Sequence, residues 1–251
     1  MNHKLLMETA TLAGEIMLVN GAEIYRVEDT INRILSTAHL ETTEAFVMST
    51  GIVATLDGMG HENITIVKRI TQRGMNLNRV ATVNTISRKY CNDEISLEEA
   101  NKQLKSINGN QFHPVVRSLS VLVIVSSFAL LLGGGVWEVL GAGLTGLLLI
   151  LSMNIGNKIG AIPFLQDLFS SAVIAIGAVL LKRYLPIELN MDLVIIGCIM
   201  PLVPGAAITN AIRDTLQGDY MAGLAKMLEA FVNAASIALG VGIGIAIMGG
   251  V

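Results

Sequence analysis

Residues 118–137 read SLSVLVIVSSFALLLGGGVW, twenty positions without a charged side chain. A helix of about 20 apolar residues crosses the hydrocarbon core of a bilayer, so this stretch decides for a membrane protein. It also marks a change in the chain. Residues 1–117 carry 25 of the 37 charged side chains, and residues 118–251 carry 12. Further charge-free runs follow at 139–157, 193–212 and 230–251, and the apolar stretch 159–181 is interrupted only by Asp167. The expected fold class is a polytopic α-helical membrane protein with an N-terminal cytoplasmic α+β domain over 1–114 and a transmembrane part over 115–251. About five spans are expected, roughly 118–136, 139–156, 162–181, 193–211 and 222–249.

Composition narrows the function classes. The first 117 residues balance 12 Lys and Arg against 13 Asp and Glu with no basic run, so no nucleic-acid partner is expected. Cys91 and Cys198 lie far apart, a poor basis for a disulfide or zinc site, and no metal or cofactor is expected. Glu8 and Glu15 interrupt what would be the apolar core of a signal peptide, which favours a cytoplasmic front domain.

The positive-inside rule counts Lys and Arg near the span ends. Arg117, Lys102 and Lys105 place the front domain inside, Lys158, Arg213 and Lys226 mark later inner loops, and the C-terminus falls outside. Lys182 and Arg183 oppose this order, and three spans with re-entrant segments are the alternative. Trp137, at the short Gly133-Gly134-Gly135 turn, suits an interfacial anchor, and Glu138 beside it reads as a marker of a span end.

Within the front domain, residues 5–19, 22–38, 77–91 and 96–107 read as helices. Ile24, Val27, Ile31, Ile34 and Leu35 share one face of the second. Segments 43–48, 51–56 and 63–69 alternate as strands do, the last two joined through Asp57-Gly58-Met59-Gly60. Ser96 and Glu99 occupy capping-box positions. Glu23 with Arg26, and Asp29 with Arg33, are spaced to pair along a helix surface, where such pairs contribute only ~0.2–0.5 kcal/mol.

Three features of the membrane part carry chemical meaning. Gly141, Gly143 and Gly146 fit G-x-G-x-x-G, but a dinucleotide site needs a preceding strand and a polar phosphate pocket, so these glycines read as close helix packing. Pro201 and Pro204, followed by Gly205, interrupt the fourth span. Each proline removes a backbone donor, and carbonyls freed inside a membrane must face protein or a water-filled cavity. Broken helices of this kind build solute sites in transporters; a purely structural kink is the alternative. Ionisable groups inside spans usually face a bundle interior or cavity. That makes Asp167 and Glu229 candidates for proton coupling, with Asn233 one helical turn beyond Glu229. No nucleophile–base motif or P-loop is present, so the chain does not read as an enzyme.

Two stretches together carry a family resemblance. Met17-Leu18-Val19-Asn20-Gly21-Ala22-Glu23-Ile24-Tyr25-Arg26-Val27-Glu28-Asp29-Thr30-Ile31, followed by Ser49-Thr50-Gly51-Ile52, resembles the start of the bacterial threonine/serine exporter family. Pro201-Leu202-Val203-Pro204-Gly205, then Thr209-Asn210-Ala211-Ile212-Arg213-Asp214, resembles that family's fourth-span signature, and Gly218-Asp219-Tyr220 with Gly223 continues it. The resemblance implies ion-gradient-driven export of small carboxylates or amino acids, threonine and serine or a succinate-like dicarboxylate, across the bacterial inner membrane. It also implies a split form, in which this chain pairs with a second, smaller integral-membrane subunit corresponding to the C-terminal half of fused members. On the same resemblance Gly21, Glu23, Tyr25 and Arg26 form a front-domain signature. Pro201, Pro204, Gly205, Asn210, Arg213 and Asp214, with Asn233, are the substrate-binding candidates, Arg213 attracting a substrate carboxylate. The alternative is a membrane-anchored ligand sensor or regulatory protein.

Overall fold

The computed structural model describes residues 2–58, 63–71, 74–107, 113–186 and 188–249. The chain divides into two compact units, Met1–Gly109 with Ala206–Leu228, and Asn110–Gly205 with Glu229–Val251.

The first unit begins with helices α1 (His3–Val19) and α2 (Ile24–Leu35), strands β1 (Thr42–Met48), β2 (Gly51–Asp57) and β3 (Ile64–Arg69), and helices α3 (Leu77–Cys91) and α4 (Leu97–Lys105). This is the α-α-β-β-β-α-α order the sequence predicts. Local chemistry sets the ends. Asn2, Asn76 and Ser96 accept hydrogen bonds from the backbone N–H three residues on, as N-caps do. After α1, Gly21 takes φ +86°, a left-handed conformation that costs glycine nothing. Helix α2 stops earlier than expected, tightening into a 3₁₀ turn at Ser36–Ala38.

The sheet order is β1-β2-β3, antiparallel throughout. Ser49 and Thr50 join β1 to β2, with Met48 opposite Gly51. The expected Asp57-Gly58-Met59-Gly60 turn runs into residues outside those described. Ala45 and Val47 pair with Ala54 and Ile52 on the inner face, where they join the buried Leu6, Met17, Ile24, Val27, Ile31, Ile34 and Leu35 of α1 and α2 in one core. The predicted apolar face of α2 is therefore its buried face.

The second unit holds α5 (Pro114–Leu131), α6 (Val136–Ile159), α7 (Pro163–Tyr184) and α8 (Met191–Ile199). Helix α9 (Gly205–Leu216) and helix α10 (Tyr220–Ile247) follow. Beyond Gly205, α9 belongs to the first unit, as does α10 through Leu228. Among the described residues four helices, α5, α6, α7 and α10, are long and apolar enough to cross a membrane. The expected span at 193–211 is not one helix. Prolines 201 and 204 cannot donate to the preceding turn, and α8 ends at Ile199 with α9 restarting at Gly205.

Small residues let these helices approach. A Cβ on Gly146 would stand 2.8 Å from Val125 Cγ2, and one on Gly244 would stand 2.6 Å from the Ala172 carbonyl. At Gly240 a Cβ would collide with the Leu168 carbonyl and Ser171 Oγ. The G-x-G-x-x-G run is thus a packing surface. Glu138 lies at a span end, as expected, and does more than mark it: it is buried, its carboxylate accepting from Gly135 N at 2.8 Å and Asn190 N at 2.9 Å. It caps α6 and pins the segment before α8.

Candidate functional site

The turn between α1 and α2 is the polar centre of the first unit. Glu23 is the N-cap residue of α2, in extended conformation, but its side chain makes no capping bond. That task falls to Asp214, whose Oδ1 accepts from Ile24 N at 3.3 Å across 190 positions of sequence. A helix N-terminus exposes unpaired N–H groups and partial positive charge, so a carboxylate is well placed there. Asp214 is fully buried, and its second oxygen accepts from Lys226 Nζ of α10 at 2.6 Å.

Asn210, Arg213 and Asp214 are spaced three and four residues apart and share one face of α9. Asn210 Nδ2 donates to the Gly21 carbonyl at 3.0 Å. Arg213 Nη1 donates to Glu23 Oε1. The other Glu23 oxygen faces Arg26 Nε at 3.2 Å, and Arg26 Nε also donates to Tyr25 Oη at 3.1 Å. The two signature stretches therefore meet: Gly21, Glu23, Tyr25 and Arg26 with Asn210, Arg213 and Asp214. Sequence spacing gave the Glu23–Arg26 and Asp29–Arg33 pairs, and both form. It offered no sign that Arg213 already holds a resident carboxylate, because the partner lies 190 positions away.

Burial alone pushes the Glu23 carboxyl up. Hydrogen bonds from its own backbone and from Arg213, with the charges of Arg26 and Arg213, outweigh burial and hold it below the ordinary carboxylate range. Nearby Glu28 behaves oppositely. Burial raises it, the Asp219 charge adds to the rise, and the hydrogen bond from Val47 N at 2.8 Å offsets only part. Asp219, in the turn between α9 and α10, is also raised, by burial and by Asp214, against Lys226.

The remaining candidates belong to the second unit. Pro201, Pro204 and Gly205 form the break between α8 and α9. Asp167 is half-buried in α7, its carbonyl accepting from Ser171 Oγ at 2.7 Å. Glu229 and Asn233 share a face of α10, Glu229 exposed and Asn233 half-buried. Sequence reading missed a polar contact in the apolar interior: Ser152 Oγ of α6 donates to Ser170 Oγ of α7 at 2.9 Å, both buried. A serine within an apolar stretch of each helix was the available signal.

Residues 8–248 match the ThrE family of threonine/serine exporters. Among curated proteins the chain is similar to one from Mycobacterium tuberculosis (strain ATCC 25618 / H37Rv) named "Probable threonine/serine exporter", 24% identical over 244 residues. That alignment covers 95% of this chain and 45% of the relative, so the chain spans about half the relative's length. No solved structure matches. The matched region holds both signature stretches and all four long apolar helices. This is a multi-pass membrane protein, and it belongs to the threonine/serine exporter family.

Proposed function

We propose that the chain is one subunit of a secondary exporter that moves small carboxylates or amino acids out across the bacterial inner membrane, driven by an ion gradient. The observation that carries this reading is the meeting of the family's two signature stretches at one charged cluster. The N-terminus is cytoplasmic in this reading, and the cluster lies on the loading side. Threonine, serine and a succinate-like dicarboxylate share the carboxylate an arginine would recognise. The resemblance to the split form of the family supports a half-transporter completed by a second, smaller membrane subunit. Asp167 and Glu229 are the proton-coupling candidates, and the Pro201–Gly205 break, with Asn233, contributes polar groups for the solute during transit.

The test is efflux from cells preloaded with labelled threonine, serine or succinate. Cells would express the chain alone, the chain with its partner, or the pair carrying Arg213→Gln. Efflux from the intact pair, lost in Arg213→Gln at equal membrane abundance, is the expected result. If no solute leaves while both proteins are in the membrane, the exporter reading fails and ligand sensing takes its place.

A further inference from the structure

We infer that Arg26 and Arg213 together form a binding site for a carboxylate group, with Glu23 as the residue that positions both guanidinium groups. The inference deepens the exporter reading by naming where a carboxylate solute is first held.

In the cluster the carboxylates lie inside and the guanidiniums outside: the Glu23 and Asp214 side chains are 8% and 0% exposed, those of Arg26 and Arg213 48% and 46%. A solute arriving from water meets cations first. Lys226, at 15% exposure, is paired with Asp214 behind them and offers little.

Both arginines keep spare donor capacity. Each guanidinium carries five N–H donors in a rigid planar fork. Among the described residues, Arg26 engages only Nε, in a hydrogen bond to Tyr25 and an ion pair with Glu23, and Arg213 engages only Nη1, toward Glu23. The remaining donors of both suit a planar two-oxygen acceptor. One buried carboxylate bridging two arginines also fixes them relative to each other, so a ligand need not order two long, flexible side chains itself.

The nearby negative charges are accounted for. Glu28 sits two residues beyond Arg26, about 200° round the helix, and directs one carboxylate oxygen at Val47 N. Asp219 faces Glu28, Asp214 and Lys226. Asp29 is engaged by Arg33 at 2.9 Å. None of these bonds to Arg26 or Arg213 among the described residues.

The experiment is equilibrium binding of labelled succinate to the full chain in phosphatidylcholine nanodiscs, with serine, uncharged succinamide and inorganic phosphate as competitors. Succinate binds and succinamide does not displace it. Arg26→Gln and Arg213→Gln each weaken binding by about tenfold or more, the scale of one lost hydrogen bond to a charged group. Arg26→Lys and Arg213→Lys, which keep the charge beside Glu23 and so protect the fold, still weaken it because the fork is gone. Glu23→Gln weakens binding, and Glu23→Asp recovers part. Arg33→Gln, on the same helix, leaves it unchanged.

Succinate binding that survives both lysine variants overturns the site. Abolition of succinate binding by phosphatidylglycerol in the nanodiscs also overturns it, assigning the arginines to a lipid headgroup. Arginine-dependent binding without cellular efflux would retain the site and retire the exporter reading. Efflux indifferent to Arg26→Lys and Arg26→Gln would do the reverse.

Discussion

The two units solve the same burial problem with a different mix of side chains. In the first, the filling is large: Leu6, Met17, Ile24, Ile31, Ile34, Leu35, Ile52 and Leu56 are all essentially inaccessible. In the second, the buried positions include Ala129, Ala142, Ala175, Ala178, Gly141, Gly146, Gly197 and Gly244. Many large apolar side chains there, such as Leu119, Val123, Leu131, Leu144 and Leu151, point outward. Water supplies the reason for the first pattern, because removing large apolar surface from it is the main drive to fold. Lipid removes that reason in the second. Helices there gain by close van der Waals approach, which small residues permit. What a residue is worth thus depends on which unit holds it.

The charged cluster lies in the water-driven unit, and breaking it should have the largest effect. Asp214→Ala leaves the Lys226 ammonium largely buried without its carboxylate and Ile24 N–H without its acceptor. Removing one partner of a buried ion pair costs about 3–5 kcal/mol, so a large drop in thermal unfolding temperature and in membrane abundance is expected. Asp214→Asn keeps an acceptor for Ile24 and should lose less. Equal, small losses in both would show that the pair contributes little to the fold.

Next come paired volume changes, one per unit. Ile31→Ala empties a fully buried site in the first core and should cost about 2–5 kcal/mol. The equivalent injury to the second unit is the addition of volume. Gly240→Leu forces α10 away from Leu168 and Ser171 of α7, and overpacking costs about 1–3 kcal/mol or more. Enlarging Leu119 to Phe, on the outward face of α5, should be nearly neutral in a bilayer. A large loss at Leu119 in nanodiscs of the lone chain would contradict a lipid-facing surface.

This contrast also explains how much the sequence discloses. Helix α2 was legible because Ile24, Val27, Ile31, Ile34 and Leu35 repeat at the helical period and water makes that period matter. Prolines 201 and 204 disclosed the break by removing donors at known places. Glu138 stands at a span end as its place beside Trp137 suggests, but its burial and capping role were illegible, since one of its two backbone donors is Gly135 and the other is Asn190, 52 positions on. The Glu23–Arg213 and Asp214–Ile24 contacts were illegible for the same reason, since no local period links residues 190 positions apart.

A smaller effect is expected from polar contacts within the membrane unit. Ser152→Ala removes the bond to Ser170, and interhelical bonds in bilayers average ~0.6 kcal/mol. Thermal unfolding in nanodiscs should shift only slightly. A loss of several kcal/mol would mean that the serine pair organises α6 against α7, which would erase the contrast between cohesion by shape and cohesion by charge.

The smallest effect, and the one with a sign to check, concerns pH in the first unit. Glu28 ionises less readily in the fold than in the unfolded chain, because it is buried and faces Asp219. A raised carboxylate pKa means that its share of stability is intact below the unfolded value, near 4.5, and is lost as pH rises through the higher folded value. Glu23, held low by its own backbone N–H and by two arginines, works in the opposite sense: its share is present above the unfolded value and lost as pH falls through the folded one. Glu28→Gln keeps an acceptor for Val47 N while removing the charge that burial and Asp219 oppose. It should therefore stabilise modestly at pH 7.5, and the gain should vanish near pH 4, as read from thermal unfolding of the two proteins side by side. Glu23→Gln should do the reverse, costing most at pH 7.5. If both variants shift stability in the same direction at both pH values, charge is not what separates these two carboxylates, and the two arginines cannot be credited with holding Glu23 ionised.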